Sequence, residues 1–179
     1  QCLTSAEKAW NWAQANPSNG GGWYSGNLEH NKVFAAVELY LATGNTTYYN
    51  VASSKINQYS SAPTTWWGDM ASIALTEFYP NTTGSLKTKI YSLLKSLADG
   101  IRNAWKGNPY YIRQQTIGNW GSNGALAHNI GDVLRFYELS GNATYLRAAE
   151  RAIGWFFGVN PWNTSFVSGI GAHHTLYVH

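Results

Sequence analysis

Charged residues are scarce in this sequence. Only 12% of its 179 residues are Asp, Glu, Lys or Arg, whereas about a quarter is typical of globular domains. The formal net charge is +3 and the basic residues are scattered along the chain, so the sequence does not favour binding to nucleic acid. Long apolar runs are also missing, because no stretch approaches the roughly 20 residues that a membrane-spanning helix requires.

Cysteine is nearly absent as well. Cys2 is the single cysteine, which excludes an internal disulfide and, in a secreted chain, suggests a pairing partner elsewhere. The sequence is instead rich in aromatic residues, with nine Trp and twelve Tyr, and in Asn, Thr, Ser and Gly. Little charge with many aromatic and small polar residues is typical of a secreted carbohydrate-active protein. We therefore predict an extracellular protein.

Four Asn-x-Ser/Thr triplets occur in the chain. Asn45, Asn81 and Asn142 fall at predicted turns between helices, where an attached glycan would lie in water. We predict these three as glycosylation sites. The fourth triplet begins at Asn163.

Apolar residues recur with the period of an α-helix along most of the chain. The pattern predicts seven helices, over residues 3–15, 31–43, 47–59, 70–79, 86–105, 122–139 and 144–157. Strand-like alternation is confined to short ambiguous pieces at residues 110–112 and 166–167. The predicted class is all-α.

An internal repeat links two parts of the chain. Residues 37–48 align with residues 134–145, so that five residues recur at matching positions: Tyr40, Gly44, Asn45, Thr47 and Tyr48 match Tyr137, Gly141, Asn142, Thr144 and Tyr145. In each copy the glycine is expected to end one helix in the left-handed conformation, and the polar residues after it begin the next. Residues 75–83 form a degenerate third copy. Repeated α-hairpins of this size close into a toroid or stack into a solenoid.

Four motifs carry a resemblance to a known family: Trp66-Trp67-Gly68-Asp69, Trp120-Gly-Ser-Asn123, Phe157-Gly-Val-Asn-Pro161, and Ser165-Phe-Val-Ser-Gly-Ile-Gly171 followed by histidines. In this order they resemble the C-terminal half of the catalytic domain of glycoside hydrolase family nine. The resemblance covers residues 6–179. It implies that residues 1–179 are the C-terminal portion of one (α/α)6-barrel domain, a toroid of six α-hairpins.

The resemblance also implies an activity, the hydrolysis of β-1,4-glucan with inversion. An inverting enzyme uses two carboxyl groups about 6.5–9.5 Å apart, which leaves room for the attacking water. In the family the base is an Asp of the N-terminal half and the acid is a Glu beyond the histidine motif. Asp69 and Asp132 are the plausible acids here, and we expect neither to be catalytic. We therefore expect no catalytic residue in this segment, which alone should be inactive, and we expect its partner to be the remainder of its own catalytic domain.

Substrate-binding residues are better represented, because aromatic faces suit the axial C–H groups of glucose rings. Trp66 or Trp67, Tyr110 or Tyr111, and Trp120 are candidates, and we favour Trp67, Tyr111 and Trp120. A histidine of the family's motif would bind sugar hydroxyls; it is either in the pair His173-His174 or is His179, and the spacing after Gly171 favours His179.

No metal or other cofactor is expected from these residues. His173 and His174 are adjacent, and neither a carboxylate nor a cysteine stands at ligand spacing from them. Calcium is frequent in the family, but no Asp-rich loop here supports a calcium site.

Two other functions remain compatible with the sequence. The first is a non-catalytic helical protein, derived from this fold, that binds carbohydrate or has a structural role. The second is a related exo-glucosaminidase, because relatives of the family also cleave glucosaminides.

Overall fold

The computed structural model describes residues 1–17, 27–66, 69–112 and 121–176. These ranges hold seven α-helices: α1 (Cys2–Ala15), α2 (Leu28–Thr43), α3 (Thr46–Asn57), α4 (Ala71–Phe78), α5 (Gly84–Lys106), α6 (Ser122–Ser140) and α7 (Ala143–Ile153). Short 3₁₀ turns follow α4 (Tyr79–Asn81) and α7 (Gly154–Phe156). Within the described ranges, β-pairing is limited to isolated bridges. The predicted all-α class is confirmed.

Two helix boundaries differ from the prediction by more than two residues. Helix α2 begins at Leu28, earlier than expected, because the Asn27 side chain accepts hydrogen bonds from the backbone N–H groups of Glu29 and His30, at 3.1 and 3.2 Å. Helix α7 ends at Ile153, earlier than expected, because the chain tightens into a 3₁₀ turn at Gly154.

The helices form two compact units, residues 1–96 and 97–179. In the first unit α2 packs against α1, α3 and α4, and the core includes Val33, Val37, Ile56 and Phe78. In α2 the Leu41 side chain is exposed, whereas Leu39 is buried. Because α2 packs against three other helices, its buried residues do not all lie on one face.

In the second unit α6 packs against α7. Trp105, Val133, Phe136 and Ala152 are among its buried residues. Ile153 and Phe157, within the predicted range of the last helix, are exposed. Because α7 ends at Ile153, the helical period does not direct Phe157 inward.

The internal repeat has the same local geometry in both copies. Gly44 and Gly141 have left-handed backbones, with φ of 69° and 65°, and each N–H donates to the carbonyl of a tyrosine four residues earlier, at 2.8 Å. Asn45 and Asn142 then cap the next helix through hydrogen bonds of 2.9 and 3.0 Å from Thr47 N–H and Thr144 N–H. The first unit therefore contains one of these two matching turns and the second unit contains the other.

Among the helices that the structure describes, none combines the length and the apolar character that crossing a membrane would require.

Candidate functional site

Trp66, the first candidate aromatic residue, pairs with Asp69 through the backbone. Trp66 and Asp69 exchange two backbone hydrogen bonds, of 2.9 and 2.8 Å. The Trp66 side chain is 42% exposed, so part of its ring could meet a sugar. Trp67, the favoured candidate, lies outside the described residues, and its role stays a prediction.

The Asp69 side chain contacts two helices. Its Oδ1 accepts a hydrogen bond of 3.0 Å from the backbone N–H of Ala71, at the start of α4. Its Oδ2 pairs with Nδ1 of His30 on α2. Because both carboxylate oxygens are engaged, the arrangement suits a residue that supports the backbone beside Trp66.

A polar cluster surrounds this pair. The His30 ring contacts the edge of the Tyr59 ring, with centroids 5.1 Å apart. Burial raises the pKa of Tyr59, and the negative charges of Asp69 and Glu29 raise it further. A hydrogen bond from Lys55 holds the pKa of Glu29 below its ordinary value. No hydrogen-bond partner for the Tyr59 hydroxyl is found in the part of the chain that the structure describes.

The other aspartates are also engaged. Asp99 accepts a 2.8 Å hydrogen bond from the Tyr145 hydroxyl and lies 3.4 Å from Nη2 of Arg102. Asp132 is buried and accepts a 3.0 Å hydrogen bond from Nη1 of Arg135. All nine acidic residues of the sequence lie in described segments, and each of the three aspartates is held by a neighbouring donor. This geometry suits structural roles.

Tyr111 stands next to the end of α5 in a strained conformation. Its φ is 55°, which is unusual for a residue other than glycine. The Arg151 guanidinium lies over its ring, 4.3 Å from the centroid, so one face is covered and at most the other could stack on a sugar. Its neighbour Tyr110 packs edge-on against Trp155, with centroids 5.8 Å apart.

Trp120 lies outside the described residues, whereas Asn123, at the end of the same motif, is described. Nε1–H of Trp155 donates to the Asn123 side chain at 3.1 Å. Trp155 also contacts Trp162 and Phe166, with ring centroids 5.8 and 6.0 Å apart. Asn123, the last residue of this motif, is thus connected through Trp155 to the loop that follows α7.

That loop, residues 156–175, is organised by two buried side chains. Asn160 makes hydrogen bonds to the backbone of Trp155, Trp162 and Thr164. The Ser165 hydroxyl accepts from Val167 N–H at 3.1 Å and lies within reach of the carbonyls of Phe156 and Val167. We call this segment the Asn160 loop.

The Asn160 loop carries two of the candidate histidines. His173 is exposed and His174 is half-buried, and Nδ1 of His174 donates to the Gly171 carbonyl at 3.1 Å. His179 lies outside the described residues. The described part of the chain contains no cluster of three or more His, Cys, Asp or Glu side chains that could hold a metal ion.

Sequence reasoning missed two features of these sites. The sequence analysis assigned no role to His30. This residue lies 39 residues from Asp69, and no pattern in the neighbouring sequence indicates that the two side chains pair. For Asn160, the Gly-x-Asn-Pro sequence indicates a turn but does not indicate how many hydrogen bonds the side chain makes.

Known proteins resemble this chain over its whole length. The family model described as Glycosyl hydrolase family 9 matches residues 1–179. Endoglucanase D of Acetivibrio thermocellus is 24% identical over 100% of this chain and 31% of its own length. A xyloglucan-specific endo-β-1,4-glucanase of Bacteroides ovatus is 26% identical over 100% of this chain and 35% of its own length.

The described fold also has solved counterparts. A metagenome-derived glycoside hydrolase family 9 endoglucanase matches with a TM-score of 0.81 and 23% identity, over 96% of this chain and 34% of that one. The likeness confirms the predicted fold, repeated α-hairpins that form part of an (α/α)6 barrel. The chain spans about a third of the length of these relatives.

Proposed function

This chain belongs to glycosyl hydrolase family 9, and we propose that it is part of a secreted enzyme that cleaves β-1,4-glucan with inversion. The observation that carries the proposal is the match of one family model to all 179 residues. Relatives named as endoglucanases support a glucan substrate, and composition supports secretion.

Within that enzyme we assign this chain to substrate binding. Trp67, Tyr111 and Trp120 would stack against glucose rings, and His173, His174 or His179 would bind ring hydroxyls. The engagement of Asp69, Asp99 and Asp132 by neighbouring donors supports placing the catalytic base outside these 179 residues. For the acid, the family resemblance implies a Glu beyond the histidine motif. The remainder of the catalytic domain is therefore the proposed partner of this chain, and no cofactor is proposed for it.

In an inverting hydrolase the acid protonates the departing sugar oxygen while the base takes a proton from water on the opposite face of the ring. Side chains that hold neighbouring sugar rings lower the barrier by fixing the scissile bond relative to both carboxyl groups. Stacking and hydrogen bonding from this chain would supply that orientation.

If the protein is secreted, three of its asparagines can be glycosylated. Asn45, Asn81 and Asn142 are all exposed. Asn45 and Asn142 use Oδ1 for helix capping, which leaves the amide nitrogen that a glycan would modify. Peptide mass spectrometry on protein secreted by a yeast host should find all three modified. Unmodified peptides at all three positions would contradict this assignment.

The direct test uses the complete natural protein that carries these residues. We expect it to release reducing ends from carboxymethyl cellulose, and xyloglucan would show whether branched chains are accepted. Activity on chitosan oligomers alone would favour an exo-glucosaminidase. Binding to cellulose without hydrolysis would favour the non-catalytic carbohydrate-binding protein, which the engaged aspartates of this chain also allow.

A further inference from the structure

We propose that Asn160 is a positioning residue, which fixes the Asn160 loop so that Nε2 of His174 accepts a hydrogen bond from a hydroxyl of the bound glucan. The identity of the ligand rests on the proposed function. The loop geometry is independent of that function and has its own measurement below.

The Asn160 side chain is only 7% exposed. Its amide nitrogen donates to the carbonyls of Trp155 and Thr164, both at 2.8 Å. Its Oδ1 accepts from the N–H groups of Trp162 and Thr164, at 3.1 and 3.4 Å. A primary amide has two donors and two acceptor positions, so this side chain uses its full capacity. An aspartate has the same shape but lacks both donors.

The fixed backbone leads directly to the histidines. Ser165 follows Thr164, and its N–H donates to the His173 carbonyl at 2.8 Å. The Thr175 N–H donates to the Ser165 carbonyl at 3.1 Å. These two hydrogen bonds lie on either side of His174, so the position of Ser165 determines where the His174 backbone lies.

The His174 ring is oriented by its own contact. Because a carbonyl oxygen can only accept, Nδ1 must carry the proton in the 3.1 Å hydrogen bond to Gly171. In the neutral ring the remaining nitrogen, Nε2, is then an acceptor. No protein donor to Nε2 is found among the residues described. A sugar hydroxyl is a donor that matches this lone pair.

The test uses Asn160→Asp in the complete protein with cellopentaose as substrate. We expect KM to rise about tenfold while kcat stays within about twofold, because the contact with His174 holds the ground state and the transition state alike. Asn163→Asp is the matched control, since it makes the same chemical change at an exposed residue of the same loop and should leave both constants unchanged. An unchanged KM in Asn160→Asp, or a loss confined to kcat, would overturn the proposal.

A double-mutant cycle tests whether Asn160 acts through His174. His174→Ala should raise KM about as much as Asn160→Asp, and the double variant should bind no more weakly than His174→Ala alone. Additive losses would mean that Asn160 acts by another route. If Asn160→Asp does not fold, an unchanged KM in His174→Ala is sufficient to reject the proposal.

Hydrogen exchange separates the loop from the ligand. In Asn160→Asp the backbone amides of Ser165 and Thr175 should exchange faster than in the wild type, while the amides of Gly44 and Tyr48, in the first unit, should not change. Unchanged exchange at Ser165 and Thr175 would refute the positioning role whether or not the protein cleaves glucan. If the wild type cleaves no glucan, the proposed function and the role of His174 fail, but faster exchange would still support the effect of Asn160 on the loop.

Discussion

Tyr48 and Tyr145 occupy equivalent positions in the two repeats but make different contacts. The Tyr145 hydroxyl donates to Asp99 at 2.8 Å, and its ring packs edge-on against Phe136. Tyr48 packs edge-on against Trp10, and no hydrogen bond from its hydroxyl is found in the described ranges. Both copies of the repeat therefore have an edge-on packed tyrosine ring, but among the residues described only Tyr145 makes a hydrogen bond through its hydroxyl.

This difference predicts unequal effects of the same substitution. Tyr145→Phe should lower the free energy of unfolding by about 1.5–3 kcal/mol, because it removes a hydrogen bond to a charged group. Tyr48→Phe is the control and should change it by less than about 0.5 kcal/mol. Urea denaturation measures both. Equal losses would contradict the role assigned to the Tyr145 hydroxyl.

Tyr59 gives a prediction about alkaline conditions. Its pKa is raised in the folded protein, so above about pH 10 the unfolded chain loses this phenolic proton first. The folded state then binds more protons, and the free energy of unfolding falls as pH rises. Tyr59→Phe should reduce that decline in denaturation curves measured between pH 9 and pH 11, relative to the wild type.

At neutral pH the same variant should be neutral or slightly stabilising. The hydroxyl is buried without a hydrogen-bond partner in the described segments, and removing an unpaired buried polar group costs little. A large loss of stability at pH 7, or an unchanged alkaline decline, would show that the hydroxyl has a partner or that Tyr59 is not the titrating group.

Among the helices, the repeated turn predicts matched contributions. Asn45→Ala and Asn142→Ala should each lower the free energy of unfolding by about 1 kcal/mol, because each removes one N-cap hydrogen bond. Asn50→Ala, at an exposed interior position of α3, should be neutral or slightly stabilising because alanine favours helix. Thermal unfolding followed by circular dichroism compares the three; a loss at Asn50 as large as at the caps would contradict the capping role.

These turns also show why sequence reasoning succeeded for the hairpins. A left-handed glycine followed by an asparagine cap is specified by adjacent residues, so the pattern could be recognised in both copies. The start of α2 was missed, although Asn27 is a local signal, because its apolar period begins later. The early end of α7 was missed because the apolar period runs past Ile153 while the backbone changes at Gly154.

Contacts between distant residues could not be predicted. The pairing of His30 with Asp69 spans 39 residues and that of Tyr145 with Asp99 spans 46, and neither has a recurring spacing in sequence. The hydrogen bonds of Asn160 are local, but single-sequence patterns indicate only that the chain turns there. The candidate site was therefore located by its motifs, whereas the contacts that hold it came from the structure.

For the whole molecule, we propose that substrate binding and bond cleavage are divided between this chain and the remainder of its domain. The 179 residues correspond to about a third of the relatives' length, and their aspartates are engaged in structural contacts. Aromatic and histidine side chains of this chain are proposed to hold the glucan, while carboxyl groups elsewhere are proposed to cleave it.

The measurement that tests this account most directly is proton NMR of the complete protein during its first turnovers of cellopentaose. Inverting hydrolysis of a β-linkage predicts that the newly formed reducing end appears first as the α-anomer and reaches the equilibrium mixture only by slow mutarotation. A β-anomer formed first, or no hydrolysis of cellopentaose, would contradict the proposed function.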